Sequence, residues 1–295
     1  MGDEAERPSA GDVVAVIVNW NAGRALGDCV GSLRESAPDA EVIVVDNASA
    51  DGSATAAERE HPQLRLIAND RNLGLAAGNN QGIRASTRPF VLISNPDVVY
   101  PPGAVDALVD VMGRREKAAF VIARPERPDG TLQTAAGDLP TLREALLGRQ
   151  LARARAGVDH GFWWDGWDHD EERQIGRGLE ASYLVRRAAI DEVGVQDERF
   201  RLDWEGIDWT ERMRAAGWEI WFSPAARVVH LGGGSIRKVQ VRWVVRQHVG
   251  MYRYFAKRRP LLLRPILAVL FTARALVKML GLVVGLSSYD RSHRD

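Results

Sequence analysis

One cysteine, Cys29, in a chain of 295 residues excludes an intrachain disulfide framework and fits a reducing compartment. Residues 1–12 are polar and acidic and hold no apolar run of the kind a secretory signal needs. No internal repeat and no low-complexity tract is present. Acidic residues are absent from one long stretch, because no Asp or Glu occurs from Ile220 to Tyr289, although the whole chain is neutral. Twelve Lys and Arg lie in that stretch, including Arg242, Arg246, Arg253, Lys257, Arg258 and Arg274. Such a block makes a surface for anionic lipid or nucleic acid. The apolar run Leu261–Leu286 beside it selects lipid. Tyr252, Tyr254 and Phe255 among the basic residues build no recognised nucleic-acid module, so nucleic acid is not an expected partner.

An apolar content of 45% can supply a sizeable core. The runs Val13–Val18, Glu41–Val45, Leu64–Ile67 and Phe90–Ile93 read as strands. They alternate with helical patterns at Ala25–Ser36 and Ala76–Ala85, and with one opened by Pro101 and Pro102 and ending near Met112. That order predicts an α/β fold with a Rossmann-like, mostly parallel sheet flanked by helices and ligands beyond the strand C-termini. Residues 125–178 are less regular and carry Phe162, Trp163, Trp164 and Trp167. Further on, Ala181–Val185 reads as a strand, Thr210–Ala216 as a helix, and Ile220–Phe222 and Arg227–His230 as short strands around Pro224. The expected organisation is a polar tail (1–12), a catalytic α/β domain (13–235) and a basic, apolar helical region (236–295).

Polar residues at the predicted strand ends carry the chemistry. Asn19 and Asn21 follow the first strand and Asp46 the second, lining the crevice where a nucleotide sits; turn and cap roles are the alternative. The stretch from Asn47 to Glu58 has some of the spacing of a calcium-binding EF-hand loop, but it is entered by a strand, so a strand-to-helix turn at Asp51-Gly52 accounts for it. Gly74, Gly78 and Gly82 fall every fourth residue, which lets a helix pack closely or lets backbone N–H groups meet phosphate. Asn95-Pro96-Asp97 places a carboxylate just past a buried strand, where a hard divalent cation bridging two phosphates needs one. Downstream lie Asp203, Glu205 and Asp208, and then His230. Carboxylates there can take a proton from an attacking hydroxyl or serve as first-turn partners of a helix.

Taken together, VVAVIVNWN, EVIVVDNASADGS, NLGLAAGNNQGI, LISNPDV, LVRRAAIDEVG, the FRLDWEGID-to-RAAGW block and VVHLGGGS resemble, in order, the family 2 inverting glycosyltransferases of GT-A fold, especially their rhamnosyltransferase-like branch. The resemblance covers about Val13 to Ser235. It implies nucleotide contacts by Asn19, Asn21, Asp46, Asn72, Gly74 and Asn95, and Mg²⁺ or Mn²⁺ held by Asp97 and His230. It places Arg186 and Arg187 in a structural role or near the acceptor. The usual glutamate–aspartate pair, whose aspartate is the base, is written here Glu205-Gly206. Glu205 is then the first expected substitute, with Asp208 and Asp203 as the others, and a catalytically silent relative is the alternative. Gln240-Val-Arg242-Trp243 is one residue short of the QxxRW motif of processive synthases.

The implied reaction moves rhamnose from dTDP-rhamnose, or galactofuranose or a hexose from another nucleotide sugar, onto a hydroxyl of a cell-envelope glycan. Arg264, Arg274 and Lys278 interrupt the apolar tail, so a helix lying in the interface at the inner face of the membrane is expected rather than a span. A lipid-linked acceptor suits that position; Trp163, Trp164 and Trp167 then read either as core residues, the commoner role of such a cluster, or as a stacking face for its sugar. The alternative covering for the tail is the catalytic domain or a second copy in a homo-oligomer.

Overall fold

The computed structural model describes residues 7–147, 161–164, 166–200, 204–232 and 240–283. Asp203, one of the three expected base carboxylates, lies outside them. The strands are β1 (Val13–Asn19), β2 (Glu41–Asp46), β3 (Arg65–Ala68), β4 (Phe90–Ser94), β5 (Val98–Val99), β6 (Ala118–Glu126), β7 (Ala136–Gly137), β8 (Arg173–Gln174), β9 (Arg177–Gly178), β10 (Ser182–Arg186) and β11 (Glu219–His230). The helices are α1 (Arg24–Ser36), α2 (Ser53–Glu60), α3 (Leu75–Arg84), α4 (Ala104–Arg114), α5 (Leu142–Leu147), α6 (Arg187–Val193), α7 (Glu205–Ala215), α8 (Gln240–Lys257) and α9 (Arg264–Val283).

The main sheet runs β3-β2-β1-β4-β10-β6-β11-β5, with β8 also paired to β11. Neighbours among β3, β2, β1 and β4 are parallel, as are β6 and β11. Antiparallel β10 lies between β4 and β6, and β5 and β8 add antiparallel edges. The carboxyl ends of β1, β2, β4, β6 and β11 therefore share one edge with the amino end of β10. All seven residues of β1 are buried because helices cover both faces. Val13, Ala15 and Ile17 join a cluster with α1 and α4. Val14, Val16 and Val18 join another with residues of α3, α6 and α7. Such two-sided burial is why the strand reads as a continuous apolar run rather than an alternation.

Close packing explains the glycine spacing. A Cβ on Gly78 would meet Val18 and one on Gly82 would meet Val16, so α3 lies against β1 only because both positions lack a side chain. Three local expectations are corrected. Pro101 and Pro102 sit in the turn before α4, which starts after Gly103 (φ 80°) with the Ala104 N–H returned to the Pro101 carbonyl. Helix α7 begins at Glu205, five residues earlier than the periodicity shows, because Trp204 and Ile207 bury against the C-terminal helices. The two short strands around Pro224 are one strand, β11, whose pairing with β6 shifts register between Ser223 and Arg227 and so passes over the proline.

Arg186 and Arg187 are structural. Arg186 donates to the carbonyls of Met112, Arg115 and Ala118, closing the end of α4. Arg187 donates to those of Ile83, Ser86 and Arg88, closing the end of α3. Cations at helix C-termini satisfy carbonyls that the helix itself leaves without partners. Trp164 and Trp167 take the core role, packed with Phe222 and His169, rather than forming a stacking face.

Helices α8 and α9 pack on the domain through a third cluster of Phe200, Trp204, Ile207, Tyr254, Phe255, Leu267 and Phe271. Three of the basic residues expected to face lipid turn inward. Lys257 bridges Asp197 and Asp208, and Arg258 bridges Asp208 and Glu211. Arg274 bonds the Leu146 carbonyl and meets His248.

Candidate active site

The carboxyl edge of the sheet gathers the expected residues into two groups. At the end of β1 and β2, the Asn19 amide donates to Asp46 Oδ1 (2.7 Å), Ser49 Oγ (3.1 Å) and Ser53 Oγ (2.8 Å). Asp46 also accepts from the Ser49 N–H (3.0 Å) and hydroxyl (2.6 Å). Asn21 adopts φ 53°, accepts from the Ala50 N–H and donates its own N–H to Ser49. Asp51 accepts from the Gly23 N–H and from Ser53, so the Asn47–Glu58 stretch is the strand-to-helix turn that its entry by β2 requires. The loops after β1 and β2 are thereby tied into one rigid wall. Two groups remain for a ligand. Asn19 Oδ1 is a buried acceptor with no partner among the described residues, and Trp20 is 44% exposed beside it in sequence. Asn72 accepts from the Gly74 N–H, and Gly74, at φ 96°, turns the chain into α3.

At the end of β4 and β11 lies the second group. Pairing of β5 with β11 sets His230 opposite Val98, which brings its Nε2 within 3.5 Å of Asp97 Oδ1. Gln133 Oε1 holds the other ring nitrogen at 2.8 Å, so Nε2 is the atom presented toward Asp97. Burial raises the Asp97 pKa, but the hydrogen bond and charge of His230 outweigh it, and the carboxyl is held below its ordinary value. Asn95 contributes its backbone here: its N–H donates to the Ala181 carbonyl (2.8 Å), and its carbonyl accepts from Ser94 and Cys29.

An imidazole and a carboxylate with adjacent donor atoms suit Mg²⁺ or, better, the softer Mn²⁺, which bind one or two protein carboxylates and leave the other positions to water and phosphate. Among the described residues no third His, Cys, Asp or Glu joins them. The residues present thus fit a cation completed by a ligand's own oxygens.

The expected base carboxylates fare differently. Asp208 is 0% exposed and takes ion pairs from Arg212, Lys257 and Arg258, each at 3.0 Å. Glu205 is 1% exposed, and its Oε2 accepts the N–H of Trp204 at 3.0 Å. A carboxylate that reading of motifs does not single out, Glu180, stands just before β10, half-buried, beside Gly206. Tyr183 lies under both glutamates: burial, then the charges of Glu180 and Glu205, push its hydroxyl well above the usual range. Gln133 is the other residue missed. Its signal is absent from the sequence because it acts through His230, which is distant in the chain. Glu180 leaves one trace, a glycine in the first turn of α7.

The family model described as Glycosyl transferase family 2 matches residues 14–167, more than half of the chain. An N-acetylglucosaminyl-diphospho-decaprenol L-rhamnosyltransferase of Mycobacterium tuberculosis is 29% identical over 236 residues, 74% of this chain and 75% of that protein. The succinoglycan biosynthesis protein ExoO of Rhizobium meliloti is 32% identical over 114 residues, 38% of this chain and 32% of its own. Among solved structures, the mannosyltransferase PcManGT of Pyrobaculum calidifontis, in complex with GDP-Man and Mn²⁺, superposes with a TM-score of 0.56 at 16% identity, covering 97% of this chain and 84% of the other. GalNAc-T7 with UDP, GalNAc and Mn²⁺ also gives 0.56, at 15% identity, covering 83% of this chain and 50% of the other. Both share its fold, a mixed sheet flanked by helices. With that fold, and with a family match spanning the first site group and Asp97, the chain belongs to glycosyl transferase family 2 and is a nucleotide-sugar glycosyltransferase.

Proposed function

We propose that the enzyme transfers rhamnose, with inversion, from dTDP-rhamnose to a hydroxyl of a lipid-linked cell-envelope glycan. The observation that carries this reading is the Asp97–His230 pair, built from segments far apart in the chain at the sheet edge that also holds the Asn19–Asp46 wall. The nucleoside lies against that wall, where Asn19 Oδ1 accepts a base or ribose donor and Trp20 offers a ring face. Asp97 and His230 would hold Mg²⁺ or Mn²⁺, which would supply positive charge for the departing diphosphate. The acceptor hydroxyl loses its proton to a carboxylate of the group around Gly206. Rhamnose as donor, and a polyprenyl-diphosphate glycan as acceptor, are taken from the mycobacterial relative.

The tail supports a position on the membrane surface at the cytoplasmic face. Residues Leu261–Leu282 are long and apolar enough to cross a membrane by length and composition. Leu262 (88%) and Val277 (71%) are exposed, and α8 shows Val241, Val245 and Val249 beside Arg242 and Arg246. An apolar face rimmed by cations suits a helix pair lying in anionic headgroups, each free cation near the surface adding about 1 kcal/mol.

The test is release of nucleoside diphosphate from dTDP-rhamnose, UDP-galactofuranose, UDP-hexoses and GDP-mannose, with and without Mn²⁺ or Mg²⁺ and with a polyprenyl-diphosphate glycan. Metal-dependent release from dTDP-rhamnose, lost in Asp97→Ala, is expected. Release from a different donor alone overturns the rhamnose assignment, and release unaffected by chelation overturns the metal pair.

A further inference from the structure

The transfer proposed above requires an ionised carboxylate that an acceptor hydroxyl can reach, beside the leaving diphosphate. Among the described residues, Asp208 fails on both counts of access and availability, since it is fully buried and its oxygens are engaged by three cations. Glu205 is sealed against the backbone of Trp204. We propose that Glu180 is the catalytic base, its carboxylate filling the space that a side chain at position 206 would otherwise occupy.

Two independent placements lead there. The first is topological. Because β10 runs antiparallel to β4, its start lies at the carboxyl edge: Ser182 pairs with Ser94, and the Ala181 carbonyl accepts the Asn95 N–H at 2.8 Å. Glu180 therefore stands just before β10, at the same edge of the sheet as Asn95-Pro96-Asp97 and the Asp97–His230 pair.

The second placement is steric. A Cβ built on Gly206 falls less than 3.0 Å from the carboxyl carbon and both oxygens of Glu180. A side chain at 206 and the Glu180 carboxylate are mutually exclusive in this arrangement, and glycine is the residue that admits it. Gly206 lies in the first turn of α7, so the carboxylate also faces the end of the helix whose peptide dipoles favour negative charge. In burial Glu180 is the intermediate one of the three carboxylates, where Glu205 and Asp208 are buried. It thus takes over the space vacated at Gly206, where the resemblance to the family leads one to look for the base.

The step is a single displacement. The acceptor O–H bond breaks and its proton passes to the Glu180 carboxylate. The acceptor oxygen bonds to the anomeric carbon from the face opposite the diphosphate. The bond from that carbon to the diphosphate oxygen breaks, and its electron pair leaves with the nucleoside diphosphate. The proton then returns to solvent.

This assignment rests on the transferase reading, and the experiment separates the two. Wild type, Glu180→Gln, Glu205→Gln and the exchange Glu180→Gly with Gly206→Asp are compared for nucleoside-diphosphate release, for donor affinity by intrinsic tryptophan fluorescence, and for thermal melting. Glu180→Gln is expected to lower kcat by about 100-fold or more, a loss typical of removing a general base. It keeps donor affinity within about twofold and loses the acidic limb of the pH–rate profile. The exchange is expected to regain a large part of the lost turnover, because the carboxylate returns to the same space from the other chain segment. A Glu180 that merely fills space would leave kcat and the acidic limb intact in Glu180→Gln, and that result overturns the assignment. So does loss of the limb in Glu205→Gln alone. Where Glu180→Gln melts below the assay temperature, turnover by the exchange decides, activity supporting the proposal and inactivity of a folded exchange overturning it. Wild type that releases nothing from any donor with acceptor present overturns the transferase reading and the base together; active wild type with equally active Glu180→Gln overturns the base alone.

Discussion

Replacing Asp208 by alanine separates a stabilising carboxylate from a reactive one. Asp208 is fully buried in α7 and anchors the end of α8 through Lys257 and Arg258 and its own helix through Arg212. Removing one member of a buried ion pair costs about 3–5 kcal/mol, mostly because the partner charges are stranded. Here the partners are only partly stranded. Lys257 keeps Asp197, Arg258 keeps Glu211, and Arg212 keeps the carbonyls of Val193 and Val195. Their side chains are also 22–30% exposed, which lets water replace part of the loss. The expected cost is therefore at or below the lower bound, about 2–3 kcal/mol. For a chain of this size each kcal/mol moves the melting temperature by about 2–4 °C, so a fall of about 5–10 °C is expected. Differential scanning calorimetry reads that shift, and a turnover assay well below the melt reads kcat. Asp208→Ala should melt early while its kcat stays within about threefold of wild type, a change of under about 1 kcal/mol in barrier. An unchanged melt with kcat reduced more than about 100-fold would refute the structural account and return the base to Asp208.

Three further outcomes follow from the same contacts. Burial pushes the Cys29 thiol up to about 12, so a maleimide should label it only after denaturation; rapid labelling of the folded enzyme would contradict its packing against β4. Gly82→Ala drives a methyl group into Val16 and should cost about 1–3 kcal/mol in urea unfolding, with part of that recovered when Val16→Ala is added. The Arg199 hydrogen bond, reinforced by Lys257 against the effect of burial, holds the Asp197 carboxyl well below its ordinary value. A depressed folded-state pKa stabilises above the unfolded value of about 3.9 and loses that contribution as pH falls below it. The melting temperature of wild type should then drop more steeply between about pH 4 and pH 2 than that of Asp197→Asn, and parallel curves would remove Asp197 from the stability balance.

The first 120 residues are legible in the sequence because β1, β2 and β4 are buried on both faces and the helices between them on one, so periodicity and burial coincide. The glycines at 78 and 82 carry the closeness of α3 to β1 in plain sight. Legibility fails where an element's boundary depends on a distant partner. Helix α7 starts at Glu205 because Trp204 packs with Tyr254 and Phe255 of α8, and no local pattern around Thr210 contains that contact. The basic block is a similar case. Composition counts Lys257 and Arg258 as surface charge, whereas long-range pairing with Asp197, Asp208 and Glu211 draws them inward.

What the sequence alone determines is which polar residues reach the carboxyl edge: Asn19, Asp46 and His230 end their strands and Asp97 closely follows one, and parallel strand ends share one rim of the sheet. Which of those residues meet is decided by tertiary pairing. The β5–β11 ladder brings His230 to Asp97, and the antiparallel insertion of β10 brings Glu180 to Gly206. Both depend on register between segments far apart in the chain. A local pattern records which face a side chain occupies and is blind to the residue it finds there.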